Sequence, residues 1–118
     1  MISKATAEHY IWGADCDGWH LVKTPELSVI HERMPPGSTE VRHVHRVSRQ
    51  FFFALEGIAT IEIAGRLVVL QPQQGVEVPP GVPHQMRNES DAPIEFVVIS
   101  QPPSHGDRVP APAEDEGS

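Results

Sequence analysis

Two histidines one residue apart, His43 and His45, sit in the stretch "GSTEVRHVHRVSRQFFFALEG", and Gln50 follows five residues after the second. Side chains two residues apart on a β-strand point to the same side. If "EVRHVH" is extended, the two imidazoles stand together on one face. If the polar stretch "RVSR" then turns, Gln50 returns beside them at the head of the apolar run "QFFFAL". Further on, "VPPGVPHQMRN" introduces His84 after two proline–glycine turn elements. Three imidazoles and one side-chain oxygen could then converge on a first-row divalent metal (iron, manganese, nickel, copper or zinc) and leave positions open for water or substrate. Taken alone, an H-x-H pair in a chain with seven histidines equally suits a solvated strand face flanked by Arg42 and Arg46.

The elements that must carry these residues read as strands. Twelve prolines and nine glycines leave few stretches long enough for a helix of three turns. β-Favouring residues recur in nine short runs: "WHLV", "LSVIHERM", "EVRHVH", "QFFFAL", "ATIEI", "RLVVL", "GVEV", "HQMRN" and "IEFVVIS". That spacing predicts an all-β, antiparallel sandwich or barrel. Glu56-Gly57 and Ala64-Gly65 fall between strand-like runs, where glycine supplies the positive φ of a tight hairpin. The 118 residues fit one domain with one core. We expect that domain over residues 1–100, with the chemistry-bearing residues inside 37–88. Residues 101–118, "QPPSHGDRVPAPAEDEGS" from Gln101 on with the serine before it in the last strand, are rich in proline and acid and are expected to be a solvated, flexible tail. The segment "YIWGADCDGWHLV" is expected to add a strand or to lie across a neighbouring subunit.

Charge narrows the partners. Nine basic residues stand against sixteen acidic ones, a net charge of −7. Phosphate backbones and anionic membranes would be repelled, so neither nucleic acid nor membrane is an expected partner. No apolar run approaches the roughly 20 residues of a membrane span, and "MISKATAEHY" lacks the apolar centre of a secretory signal. Cys16 is the single cysteine, so no intrachain disulfide forms, which reads as a reducing, cytoplasmic setting. Asp15 and Asp17 flank it and disfavour its thiolate.

The wider spacing resembles the cupin family. Gly37, five residues, His43, one residue, His45, four residues, Gln50, six residues and Gly57 follow the first cupin motif. Pro79, Gly81, His84 and Asn88 follow the second, with Gly75 closer to Pro79 than the family pattern has it. The resemblance spans about Leu27 to Ser100. It implies a small double-sheet β-barrel, closed or nearly so (a jelly roll), with a metal inside one end held by His43, His45 and His84, and it implies a homodimer. The fourth ligand position, usually glutamate, is Gln50 here. An amide neutralises none of the metal's charge, so the site should bind hard cations poorly, make a bound water more acidic and favour an anionic ligand. Gln50 either ligates through its oxygen or holds a bound water.

Parity places Phe52 on the side of Gln50, and Met86 on the side of His84, as candidate pocket walls, with Phe51 and Phe53 facing away. Arg42 has the opposite parity to the histidines and is expected on the surface. Trp19 is a candidate to close a barrel end, and His9, His20, His31 and His105 read as solvated or structural. Glu62 and Glu95 would serve as general bases only if their strands turned them inward. The expected function is a metal-binding cupin that binds or acts on a small organic molecule, as a dioxygenase for an enol or diketone-like substrate. A metal-dependent isomerase and a non-catalytic ligand-binding protein are the alternatives.

Overall fold

The structure is a computed structural model that describes residues 1–112. Eleven strands form among them: β1 (Glu8–Trp12), β2 (Cys16–Lys23), β3 (Ser28–Met34), β4 (His43–His45), β5 (Arg49–Glu56), β6 (Ala59–Ile63), β7 (Arg66–Leu70), β8 (Gly75–Val78), β9 (His84–Arg87), β10 (Ile94–Gln101) and β11 (Arg108–Pro110). No helix occurs among the described residues. All pairings are antiparallel, in two sheets ordered β1-β2-β3-β10-β5-β8 and β11-β4-β9-β6-β7. This is the double-sheet jelly roll. The sheets hydrogen-bond within themselves rather than closing into one continuous barrel.

Alternation explains which face of each strand is buried. Along β10, Ile94, Phe96, Val98 and Ser100 point inward, and along β5 Gln50, Phe52 and Ala54 do the same. Phe51 and Phe53 take the opposite face of β5, stacked with ring centroids 6.2 Å apart. From the second sheet, Ala59, Ile61, Leu70 and Met86 complete the apolar core. The β6–β7 hairpin turns at Ala64 (φ 50°) and Gly65 (φ 88°), the two positive φ values that a right-twisted hairpin prefers.

Three expectations change. β11 is a strand beyond those legible in the sequence, whereas β1 is the strand expected from "YIWGADCDGWHLV", paired with β2 inside the same chain. The "EVRHVH" run is a strand only at His43–His45, because the backbone before it turns toward the β9–β10 side: Glu40 N–H donates to Met86 O and Gly37 N–H to Asn88 O. The tail is corrected for residues 101–112. β10 continues to Gln101, β11 pairs with β4, and Ala111 N–H donates to Arg42 O. Residues 113–118 of that expected tail lie outside the described residues.

Asn88, expected at a strand end, ties β9 to the loop before β10. Its amide donates to Met34 O (3.0 Å) and Ala92 O (2.8 Å), and its oxygen accepts from Ser90 N–H (3.0 Å) and the Ser90 hydroxyl (2.7 Å). Gly57 closes the same end of the sandwich. It has φ 76°, and a Cβ there would lie 2.6 Å from Pro93 O and 2.9 Å from Ile94 Cγ2. Both backbone conformation and space therefore exclude a larger residue. Gly57→Ala is expected to destabilise the fold by roughly 2 kcal/mol or more, read as a lower denaturation midpoint in urea. An unchanged midpoint would show that this turn relaxes without cost.

Candidate metal centre

The two sheets contribute different parts of one constellation. β4 carries His43 and His45, and β9 carries His84 directly across from His43. β5, in the other sheet, supplies Gln50, whose strand neighbours are Ser100 on β10 and Val78 on β8. Centroids of the imidazole rings are 4.7 Å (His43–His45), 4.5 Å (His43–His84) and 5.6 Å (His45–His84) apart. One nitrogen from each ring lies within 4.8 Å of the others. A divalent ion held at about 2.0–2.1 Å from each would need ring shifts on the order of an ångström. All four side chains are buried.

Hydrogen bonds fix how the rings face. His43 Nδ1–H donates to Val41 O (2.7 Å), His84 Nδ1–H to Val82 O (3.0 Å) and His45 Nδ1–H to Asp107 O (3.0 Å). With Nδ1 protonated in each neutral ring, Nε2 carries a lone pair, the state that a metal needs. His45 Nε2 is buried without a hydrogen-bond partner among the described residues. A buried polar atom left unpaired is costly and rare; an electrophile at that point would satisfy it. The residues present therefore fit a metal ion.

Gln50 adds a second reason. Its Nε2 donates to Ser100 Oγ (3.0 Å), and its Oε1 stands 3.0 Å from His84 Nε2. In this arrangement two acceptors face each other, which a cation near both would relieve. Rotating the amide by half a turn lets its nitrogen donate to His84 Nε2 while the Ser100 hydroxyl donates to Oε1. The Gln50, Ser100 and His84 side chains thus have a self-satisfied arrangement and a ligating one, while His45 Nε2 stays unpaired in both.

Burial suppresses charge on all three rings. Desolvation, with the Arg108 guanidinium and the other imidazoles adding repulsion, pushes His43 down to about 3 and His84 to about 4, against an ordinary 6.5. His45 is lowered as well, first by desolvation. The lone pairs therefore remain available for a metal at neutral pH.

The segment 102–110 straps this end. The Asp107 carboxylate accepts N–H bonds from Arg46 (3.0 Å), Val47 (2.9 Å) and Ser48 (2.8 Å), capping the turn between β4 and β5, while its carbonyl orients His45. Those N–H donors, Ser48 first, hold its carboxyl below the usual range. The Ser48 hydroxyl donates to Pro102 O (2.6 Å). Gly81 N–H, from the proline–glycine turn before His84, donates to His45 O (2.7 Å).

A cavity of about 160 Å³ opens beside the histidines. Besides His43, His45 and Gln50 it is lined by Phe52, Ile30, Val98, Tyr10 and Trp12, and by three charged-type residues, Glu32, Glu40 and Arg108. Phe52 is thus a wall. Met86 lies in the apolar core, outside the lining. Trp12, not Trp19, is the tryptophan of the cavity. Trp19 sits on the other face of its sheet between His9 and His31, with Lys4 over its ring.

Neither carboxylate singled out from the sequence reaches this cavity. Glu62 accepts two bonds from the Arg42 guanidinium (2.6 and 3.1 Å), so Arg42 is packed into an ion pair instead of lying free on the surface. Glu95 pairs with His31 (2.6 Å) and Lys4 (2.8 Å) on the outer face. Glu32 and Glu40 take the inward places instead. Desolvation, with mutual repulsion, pushes Glu32 up to about 8, and desolvation pushes Glu40 up to about 7. Tyr10 is raised also, by desolvation and then by Glu32. The available signal for Glu32 was its parity with Ile30 and Met34. Glu40 lies outside any strand and had none.

A family model described as "Cupin domain" matches residues 30–100. An uncharacterized protein of Methanocaldococcus jannaschii is 26% identical over 89 residues, which cover 75% of this chain and 71% of that one. Among solved structures, a protein described as a sugar phosphate isomerase from a cupin superfamily, from Silicibacter pomeroyi, is similar with a TM-score of 0.77 at 20% identity, over 86% of this chain and 74% of the other. An RmlC-like cupin from Shewanella frigidimarina is similar with a TM-score of 0.80 at 20% identity, over 89% and 92%.

Two outcomes follow from the site's geometry. The buried imidazoles favour the fold when neutral, so their contribution is lost as pH falls from 6.5 toward about 3. Glu32 and Glu40 favour it when protonated, so theirs is lost as pH rises from 4.5 through about 7 to 8. The two trends oppose each other between 4.5 and 6.5. The melting temperature of metal-free protein is therefore expected to be highest there and to decline on both sides; a monotonic rise to alkaline pH would contradict the burial of the two carboxyls. Separately, Asp107→Ala should free the β4–β5 turn and loosen His45. Zinc affinity, measured by competition with a chelator, is expected to fall roughly 10- to 100-fold. Wild-type affinity in this variant would remove the strap from the site.

Proposed function

The chain belongs to the cupin domain family, and from that premise we propose that His43, His45, His84 and Gln50 hold a first-row divalent metal with which the protein acts on a small anionic organic molecule. The single observation that carries this reading is the buried, partnerless Nε2 of His45, beside two other imidazoles of the same tautomer and facing a cavity. When bound, the ion supplies Lewis acidity and open coordination positions.

The charge inventory favours an anionic substrate. All four proposed ligands are neutral, so both of the ion's charges remain uncompensated. Arg108 adds a further positive charge to the same cavity. The walls at Ile30, Phe52 and Val98 are apolar and exclude water around the polar centre. The volume suits a molecule of a few carbons rather than a polymer.

The ionisable groups favour catalysis by proton movement over the non-catalytic alternative. Two carboxyls held near neutral pKa in one cavity are poised to give and take protons, whereas a binding site gains nothing from that arrangement and loses stability by it. They also favour a metal-dependent isomerase over the dioxygenase. The similar Silicibacter pomeroyi protein, described as a sugar phosphate isomerase, supports the same order.

Protein purified without added metal is expected to carry about one first-row divalent ion per chain. His45→Ala should lower that content at least about tenfold while leaving the fold intact by circular dichroism. Unchanged stoichiometry would exclude His45 from the ligand set and remove the basis of this reading.

A further inference from the structure

Glu32 stands in the middle of β3 on the inward face. Its paired neighbours are Gly18 on β2 and Phe96 on β10, and neither side chain offers it a cation or a hydrogen-bond donor. Its carboxyl makes no hydrogen bond to a described residue. Glu40, by contrast, accepts Met86 N–H (2.9 Å) and lies 4.0 Å from the Arg108 guanidinium. A carboxyl facing a cavity with apolar walls and no hydrogen-bonded partner is costly to ionise, and such a cost is most often retained where the group does chemistry.

Resting on the metal-centre reading, we propose that Glu32 is the general acid–base residue of this site and that its substrate is a small, enolisable 2-oxo carboxylate. Two observations in one cavity meet in this assignment: the partnerless Nε2 of His45 marks where an electrophile sits, and the Glu32 carboxyl, lining the same cavity without a hydrogen bond to a described residue, marks where a proton goes. The uncompensated charge and Arg108 select a carboxylate, and the small volume selects a short chain.

The groups facing Glu32 keep its proton available. Glu40 repels its charge, Arg108 offsets part of that repulsion, and the Tyr10 hydroxyl and the buried Cys16 thiol are themselves held neutral. Gly18 leaves room for the Tyr10 ring, since a Cβ there would lie 2.3 Å from it. Burial and these neighbours put Glu32 near 8, so it holds its proton at pH 7 and becomes a base as pH rises.

The step balances within the substrate and this residue. Ionised Glu32 takes a proton from the carbon next to the ketone. The C–H electron pair becomes a C=C bond, and the carbonyl π pair moves onto oxygen, where the positive charge of the site stabilises it. Protonated Glu32 returns a proton to carbon, and the ketone re-forms. Nothing is oxidised or reduced.

The test uses pyruvate in deuterium oxide and zinc-loaded full-length protein, with loss of the methyl proton signal followed by NMR. Wild-type protein is expected to accelerate exchange over zinc alone, with a rate that climbs with pH as Glu32 ionises and levels off below about 8, because the charge of the bound zinc favours the ionised carboxylate. Glu32→Gln at equal zinc content should slow exchange by about 100-fold. Independently of activity, metal-free Glu32→Gln should melt higher than metal-free wild type at pH 8 by a few degrees, roughly 2–5 °C, with little difference near pH 4.5. Exchange by Glu32→Gln at the wild-type rate, or a lower melting temperature at pH 8, overturns the assignment. Wild-type protein that binds zinc but leaves pyruvate unexchanged overturns this proposal alone; wild-type protein that binds neither zinc nor any other first-row divalent ion overturns the metal-centre reading with it.

Discussion

Everything at this site depends on three backbone carbonyls. Val41, Val82 and Asp107 each accept a hydrogen bond from the Nδ1–H of one histidine, and so turn three Nε2 lone pairs toward a common region. Two of these anchors are local, two residues before the histidine that each orients. The third reaches 62 residues along the chain. His43 and His84 are therefore oriented by the backbone just before their own strands, whereas His45 is oriented by the residue that leads into β11, paired with β4. The orphaned Nε2 belongs to that third ring.

Replacing the usual glutamate by Gln50 alters more than charge. A carboxylate accepts only, and without a metal it would face the His84 lone pair with nothing to donate. The amide can rotate, and Ser100 can donate or accept to match either orientation. Gln50 and its partners Ser100 and His84 can therefore stay hydrogen-bonded before a metal arrives and still present an oxygen to one. The corresponding loss is affinity: with no anionic ligand, the protein holds an ion through imidazole and amide dipoles alone, and the remaining attraction is left for a substrate anion.

Much of this architecture was legible because β-structure writes itself into alternation. The inward series Gln50, Phe52, Ala54 and the hairpin at Ala64-Gly65 follow from parity and from positive φ, both of which are local. The pairing of His43 with His45 was local too. What escaped was set by distance. Glu40 sits in irregular backbone, where parity means nothing, and its place in the cavity depends on a bond to Met86 N–H. Glu32 did follow the parity of its strand, but a charged residue in "HERM" reads as a solvent-facing one until the opposing sheet is known. The segment 101–112 failed for a different reason. Composition measures how much apolar surface a segment can bury, and this one docks instead by polar bonds: Asp107 to three N–H groups, and Ala111 to Arg42 O.

The cavity opposes two kinds of suppressed ionisation. Imidazoles that would prefer to be charged below pH 6.5 are kept neutral, and carboxyls that would prefer to be charged above pH 4.5 are kept protonated. Desolvation is the leading cause in every case, so neither effect requires the other. Arg108 couples them, since its charge lowers the imidazoles and the two carboxyls alike. Any further positive charge near the histidines would act in the same direction. It would deter imidazole protonation further and make Glu32 and Glu40 more acidic, because a cation favours the ionised carboxylate. Loading the site with a divalent ion would thus shift the two carboxyls of the cavity from holding protons toward releasing them. The acid–base character of the carboxyls and the occupancy of the histidines are linked through charge alone, with no movement of the fold required.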